Sequence, residues 1–283
     1  MKTYGLLGET IGYSLSHHMH NAAFSELGLE AEYKIFDIPE SGLGDFFSRV
    51  KAGTISGCNV TIPYKERALA FIESLSPAVR AIGALNTIVR EDGKVVGHNT
   101  DYHGFVKSLR GRASGDLGFE PEEKSAFVFG AGGAAKAVVY SLLILGAKKI
   151  AIADMDIKKA ETLAASVVEK QKGNALITVV QDEAQYDEFI SRSDLLVNAT
   201  PCGISKGDAP LFDYKFIDKT LAVFDLIYAK DTPLVMEAKL RGAKVINGLN
   251  MLLYQAARSF ELWTGNEAPL DAMRKALSDN ITK

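Results

Sequence analysis

Apolar and polar positions along the chain fall into two alternating rhythms. Short apolar runs at Tyr4–Leu7, Tyr33–Ile38 and Gly57–Ile62 read as buried strands, each followed by a helix-length amphipathic stretch. Ala84–Arg90 and Lys94–His98 flank Asp92-Gly93, a pair favoured in tight hairpin turns because it tolerates left-handed backbone. The pattern loosens over Gly111–Lys124, which is rich in glycine and charge and reads as a surface connection between units. Strands are then predicted at Ser125–Gly130, Lys149–Asp154, Leu176–Val180, Asp194–Asn198, Thr220–Leu226 and Ala243–Asn247, with helical stretches between them. The closing segments Asn250–Trp263 and Leu270–Asp279 carry helical periodicity. This alternation implies parallel sheets covered by helices, and two series split by a polar connection imply two α/β domains.

Composition narrows the function classes. The 283 residues are 47% hydrophobic and 24% charged, ordinary for a soluble protein with two cores. The net charge is −3, and no basic run is interleaved with aromatics, which argues against a nucleic-acid partner. The only cysteines, Cys58 and Cys202, lack redox or zinc spacing and suit a reducing compartment. No apolar run approaches the roughly 20 residues of a membrane helix. The first run, broken at Gly8 and Glu9, is too short for a signal-peptide core. A cytoplasmic protein with no membrane partner is expected, its oligomeric state open between monomer and homodimer.

Two groups of residues carry candidate chemistry. The strand Ser125–Gly130 runs into Gly130-Ala131-Gly132-Gly133-Ala134-Ala135 and then a helix, the arrangement that cradles a dinucleotide pyrophosphate. A tight turn needs the first glycine, close approach of phosphate needs the second, and helix-on-strand packing needs a small third residue. The helix N-terminus supplies free N–H groups and partial positive charge. Asp154 ends the next strand, 24 residues after Gly130, where an acidic side chain can bind the adenosine ribose. Asn198-Ala199-Thr200-Pro201 follows another strand, at the sheet edge where ligands sit.

The second group lies in the N-terminal half: Ser14, Ser16, the segment Asn59–Lys65, Asn86-Thr87 and Asn99-Thr100-Asp101. Singly these are common cap and turn residues. Together they place hydroxyls, amides, one amine and one carboxylate at strand ends, an inventory suited to a small polyhydroxylated acid. His17, His18 and His20 look like a metal cluster, but adjacent imidazoles should diverge on a helix and no acidic or cysteine partner has ligand spacing, so no metal is expected.

At these residues the chain resembles the shikimate dehydrogenase family over nearly its whole length. The resemblance is carried by Ser14-Leu15-Ser16 with His20-Asn21, by Asn59–Lys65, and by Asn86-Thr87 and Asn99-Thr100-Asp101. It continues in Asp225-Leu226-Ile227-Tyr228, Gly248-Leu249-Asn250-Met251-Leu252 with Gln255, and Trp263-Thr264-Gly265. It implies a substrate-binding and catalytic domain over 1–104 plus 249–283, and a Rossmann-type doubly wound dinucleotide-binding domain over 105–248. Lys65 and Asp101 would be the catalytic pair, with Ser14, Ser16, Thr61, Asn86, Tyr228 and Gln255 on the substrate. Gly130, Gly132, Gly133, Ala134, Ala135, Asp154, Asn198, Thr200, Leu226, Gly248 and Met251 would line the cofactor site. The final helices would pack on the N-terminal domain and bring Gln255 to the substrate. Tyr13, His17 and Asn250 depart from the family, which usually has histidine, proline and glycine there.

The implied reaction interconverts 3-dehydroshikimate and shikimate by hydride transfer. Reduction of the ketone leaves negative charge on oxygen, and a protonated lysine can neutralise it. NAD is expected over NADP. Asp154-Met155-Asp156 stands where NADP-using members usually carry asparagine-arginine-threonine, and it offers no guanidinium to the extra phosphate. The competing readings are a dehydrogenase acting mainly on quinate and a non-catalytic nucleotide-binding regulator.

Overall fold

The computed structural model describes residues 1–170, 175–205 and 207–281. The chain divides into two compact units, Met1–Gly104 with Leu253–Lys283, and Phe105–Leu252.

The first unit holds a six-stranded sheet in the order β2-β1-β3-β5-β6-β4. Its strands are β1 (Lys2–Gly8), β2 (Ala31–Asp37), β3 (Gly57–Val60), β4 (Ser74–Leu75), β5 (Thr87–Glu91) and β6 (Lys94–His98). β2, β1 and β3 run parallel, as the βα pattern predicts. The sheet as a whole is mixed, because the Asp92-Gly93 hairpin returns β6 antiparallel to β5, and β5 pairs antiparallel with β3. Both turn residues have positive φ, 48° at Asp92 and 77° at Gly93. Helices α1 (Ser16–Glu26), α2 (Leu43–Ala52) and α3 (Pro77–Ile82) follow β1, β2 and β4. Phe46, Phe47 and Val50 of α2 meet Leu7, Cys58, Val60 and Ile88 of the sheet in one core. α10 (Leu270–Ser278) packs on α1.

The predicted strand Gly57–Ile62 stops at Val60, since Thr61–Lys65 leaves the sheet in turns. That exit lifts Lys65 out of the pleat. Helix α4 (Asp101–Arg110) starts directly after β6, and Asn99 Oδ1 caps it by accepting from the backbone N–H of Asp101 at 3.0 Å and Tyr102 at 3.3 Å.

The second unit is a parallel six-stranded sheet in the order β12-β11-β10-β7-β8-β9. Its strands are β7 (Ser125–Phe129), β8 (Lys149–Ala153), β9 (Leu176–Val179), β10 (Leu195–Asn198), β11 (Ala222–Asp225) and β12 (Lys244–Ile246). Helices α5 (Gly133–Ile144), α6 (Ile157–Lys170), α7 (Tyr186–Ser191) and α8 (Pro233–Leu240) connect them, and α9 (Leu249–Thr264) follows β12. Read from β9, this is the doubly wound order 3-2-1-4-5-6, whose direction reverses between β7 and β10. The predicted surface connection over 111–124 belongs to this unit instead of linking it to the other. Leu117 is buried in its core, and the backbone N–H groups of Leu117 and Phe119 donate to Ser108 and Leu109. The apolar residues inside that polar stretch explain the docking.

Candidate active site

In the first unit, buried polar side chains from separate elements converge. Lys65 Nζ lies 2.5 Å from Asp101 Oδ2, with the two side chains 15% and 8% exposed. The other carboxylate oxygen, Asp101 Oδ1, accepts from Asn86 Nδ2 at 2.9 Å. The amide of Asn86 has its orientation fixed from behind, since its Oδ1 accepts the backbone N–H of Thr100 at 2.6 Å. Gln255 on α9 brings Oε1 to 3.2 Å from Asn86 Nδ2 and 3.4 Å from Thr100 Oγ1. The sequence separation of 169 residues between Asn86 and Gln255 is thus closed within this unit.

Ser14 and Ser16, both buried, sit after β1 with their hydroxyls 3.2 Å apart. Their loop is held by Asp37 at the end of β2, whose carboxylate accepts the backbone N–H groups of Thr10 and Ile11 at 2.7 and 3.0 Å. Thr61, half-buried, is fixed by its backbone N–H to Leu7 O at 2.9 Å. Tyr13 is 73% exposed, so this departure from the family points to solvent. His17 and His18 do not diverge: their rings lie 3.8 Å apart on the first turn of α1, because rotation about the side-chain bonds can swing neighbouring imidazoles together even where their Cβ directions differ. Among the described residues no group of three or more histidine, cysteine, aspartate or glutamate side chains is placed to hold a metal.

Behind this layer lies a second one. Asn59 Nδ2 reaches Asn86 O, Thr87 Oγ1 and Ser259 Oγ at 2.9–3.1 Å, and its Oδ1 accepts the Tyr33 hydroxyl at 2.8 Å. His20, fully buried, stacks on Tyr33 with ring centroids 4.4 Å apart, and neither ring nitrogen has a hydrogen-bond partner. Burial pushes its imidazole down to about 3.

In the second unit, the glycine-rich loop follows β7 at the point where strand order reverses. Gly130 has φ 107°, and a Cβ there would lie 2.9 Å from Ala199 O, so both conformation and contact demand glycine. Gly132 is the N-cap of α5, and a Cβ at Gly132 would meet nothing within 4 Å. No side chain caps the helix there, which leaves the first-turn N–H groups of Gly133, Ala134 and Ala135 presented to a ligand. This open cradle at a helix N-terminus fits a dinucleotide pyrophosphate.

Asp154, just after β8, has its carboxylate held over the loop: Oδ2 accepts from Ala131 N at 2.7 Å and Oδ1 from Asp156 N at 2.8 Å. Asn198 is buried and turns the chain after β10, with Oδ1 accepting from the Thr200 backbone N–H and hydroxyl at 3.0 and 2.7 Å. Its Nδ2 donates to Asp225 Oδ1 at 3.0 Å. Asp225 also accepts from Ile227 N at 3.1 Å and the Thr232 hydroxyl at 2.5 Å, and burial pushes its carboxyl up to about 6.

Leu226 donates its N–H to Asn198 O at 2.9 Å, and a Cβ on Gly248 would fall 2.1 Å from Leu226 O. Met251 is buried in the core of this unit, and Tyr228 is a half-buried member of the segment after β11. Asn250 donates to Ser114 O and Asp116 Oδ1 at 3.0 and 2.7 Å, so it pins the 114–116 turn of the same unit. The sequence reading left Ser259 unmentioned. Its signal was its place one helical turn after Gln255, a small hydroxyl between Arg258 and Phe260.

Known proteins match this chain along its length. The family model described as shikimate dehydrogenase substrate binding domain matches residues 6–88, and that of the shikimate 5'-dehydrogenase C-terminal domain matches residues 248–277. A relative named shikimate dehydrogenase (NADP(+)), from Desulforamulus reducens, is 40% identical over 282 residues, covering 99% of this chain and 95% of its own. The crystal structure of shikimate dehydrogenase from Aquifex aeolicus superposes with TM-score 0.87 at 36% identity, covering 98% of this chain and 97% of its own. A Listeria monocytogenes shikimate 5-dehydrogenase, solved with shikimate and NAD, superposes with TM-score 0.87 at 31% identity, covering 97% and 96%. The chain therefore belongs to the shikimate dehydrogenase family of NAD(P)-dependent oxidoreductases.

Proposed function

We propose that the chain interconverts 3-dehydroshikimate and shikimate, with the first unit binding the substrate and the second the dinucleotide. The nicotinamide cofactor supplies or accepts the hydride. Lys65 Nζ delivers a proton to the carbonyl oxygen during reduction and withdraws it during oxidation. Asp101 fixes the ammonium in place, and Asn86 fixes Asp101. Ser14 and Ser16 offer hydroxyls to the substrate carboxylate, while Thr61 and Gln255 bind its ring hydroxyls. The single observation that carries this reading is the Lys65–Asp101 pair at 2.5 Å, set among Asn86, Thr100 and Gln255. Such a proton donor has no use in a regulator without turnover.

For the dinucleotide, Asn198, Thr200, Leu226, Gly248 and Met251 would flank the nicotinamide side, and Asp154 the adenosine ribose. NAD is the preferred form in this reading. The Asp154 carboxylate held above the loop would accept ribose hydroxyls and repel a ribose phosphate. Met155 is fully exposed and uncharged, and Lys159 Nζ is 3.9 Å from Asp156 Oδ2, drawn to a carboxylate of its own helix start. The NADP(+) in the D. reducens relative's name and the NAD in the Listeria structure show both cofactors within similar proteins. The two free cysteines fit a reducing compartment such as the cytoplasm. Initial rates with shikimate and with quinate, each against NAD and NADP, test the whole reading. Shikimate with NAD is expected to give the highest catalytic efficiency. No reductant formation with either acid would refute the substrate class, and higher efficiency with NADP would refute the cofactor preference.

A further inference from the structure

Ser259 is fully buried on α9, one turn after Gln255. Its Oγ lies 2.9 Å from Asn59 Nδ2, 2.9 Å from Thr87 Oγ1, 3.0 Å from Thr100 Oγ1 and 3.0 Å from the backbone O of Gln255. A serine hydroxyl has one proton and two acceptor sites. The amide nitrogen of Asn59 can only donate and the Gln255 carbonyl can only accept. With the serine proton on that carbonyl, one acceptor site takes Asn59 and the other takes a threonine hydroxyl. The hydroxyl is then saturated by three bonds, and four chain segments lie within hydrogen-bond distance of one atom: β3, β5, the Asn99–Thr100 turn before α4, and α9.

Those segments carry the groups around the reacting pair. Thr87 follows Asn86, Thr100 precedes Asp101, and Gln255 is one turn before Ser259 on the same helix face. Burial of a serine does not by itself require such a junction: Ser108 is equally buried and its Oγ has no hydrogen-bond partner. We propose that Ser259 is a positioning residue, its hydroxyl locking Gln255 on α9 to the Asn86 and Asp101 side chains so that substrate meets a preset arrangement. The inference rests on the substrate reading above.

Removing the hydroxyl deletes the hydrogen bonds that tie α9 to Asn59 and to a threonine of the neighbouring segments, and frees α9 to shift against β5. Displacements of about 1 Å cost up to about 10²-fold in rate, so Ser259→Ala is expected to lower kcat/KM for shikimate by on the order of tenfold. Cofactor affinity, measured by titration, should stay at the wild-type value, and Ser108→Ala should match wild type in both readouts. Because Ser259 acts through Gln255, its effect should shrink to below about twofold when introduced into Gln255→Ala. A purely structural serine would show the same loss in either background.

If Ser259→Ala does not fold, Ser259→Cys, close in size with a weaker hydrogen bond, enters the same comparison with an intermediate loss expected. Wild-type efficiency in the Ser259 variant, or an undiminished effect in the Gln255→Ala background, would overturn the positioning role alone. A wild-type enzyme inactive on shikimate would instead overturn the substrate reading beneath it.

Discussion

The first unit builds its candidate site from side chains, and the second builds its own from backbone. In the first, Lys65, Asp101, Asn86, Thr100 and Gln255 orient one another, and Asn59 and Ser259 brace them from behind. In the second, the loop offers helix N–H groups and open space at Gly132, and its buried polar residues Asn198 and Asp225 are consumed in shaping the turns. The difference follows from the ligands each would hold. A small acid with several hydroxyls is distinguished by directional donors and acceptors, which need fixed side chains. A pyrophosphate is gripped by charge and close approach, which need backbone and the absence of a Cβ.

The sharpest break in this comparison comes from Lys65→Ala. General acid–base groups contribute about 10²–10⁴-fold, and turnover is expected to fall within that range while cofactor affinity stays at its wild-type value. Half the wild-type rate in the variant would remove Lys65 from the chemistry. Next in size is Gly132→Val, which fills the open cradle and should weaken cofactor binding by about tenfold or more, roughly 1.4 kcal/mol. The free space around that position predicts that the variant folds. Unaltered cofactor titration in the folded variant would reduce the loop to a structural turn.

Acid separates the units more gently. Burial lowers His20 to about 3, against about 6.5 for a free imidazole, so the unfolded chain binds its proton first. Its contribution to stability is complete above pH 6.5 and is lost as pH falls, by about 3 kcal/mol at pH 4.5. Asp225 behaves oppositely. Its carboxyl is raised to about 6, so the folded chain binds its proton first, and its contribution improves as pH falls from about 6 toward 4. Hydrogen exchange followed peptide by peptide between pH 7 and 4.5 should show protection falling around α1 and β2, where His20 stacks on Tyr33, relative to β10 and β11. A His20→Phe variant should flatten the first unit's response. Equal loss in both units would contradict the assignment of these two groups.

Much of the architecture was legible in the sequence because its signals are local. The Asp92-Gly93 hairpin, the strand before the glycine loop and the helix after it depend on neighbouring residues. The reading of Asn59–Lys65 as a strand end with a lysine placed Lys65 near its position, although the strand stops at Val60. What sequence could not show is where buried hydroxyls and amides spend their hydrogen bonds. Ser259 touches Asn59, 200 residues away, and nothing near either residue announces the contact. The tilted, touching rings of His17 and His18, and Asn250 pinning Ser114 and Asp116, likewise depend on local geometry that periodicity does not encode. Ring nitrogens without partners at His20 look identical in sequence to a ligand histidine.

The central claim is that proton transfer is the work of the first unit and cofactor grip that of the second. Lys65→Ala, Gly132→Val and the double variant test it together, with turnover measured at saturating cofactor and affinity measured by titration. Independent roles predict that the double variant combines the turnover of Lys65→Ala with the cofactor affinity of Gly132→Val. A double variant that binds cofactor far more weakly than Gly132→Val alone would show Lys65 to be part of the cofactor grip and contradict the division.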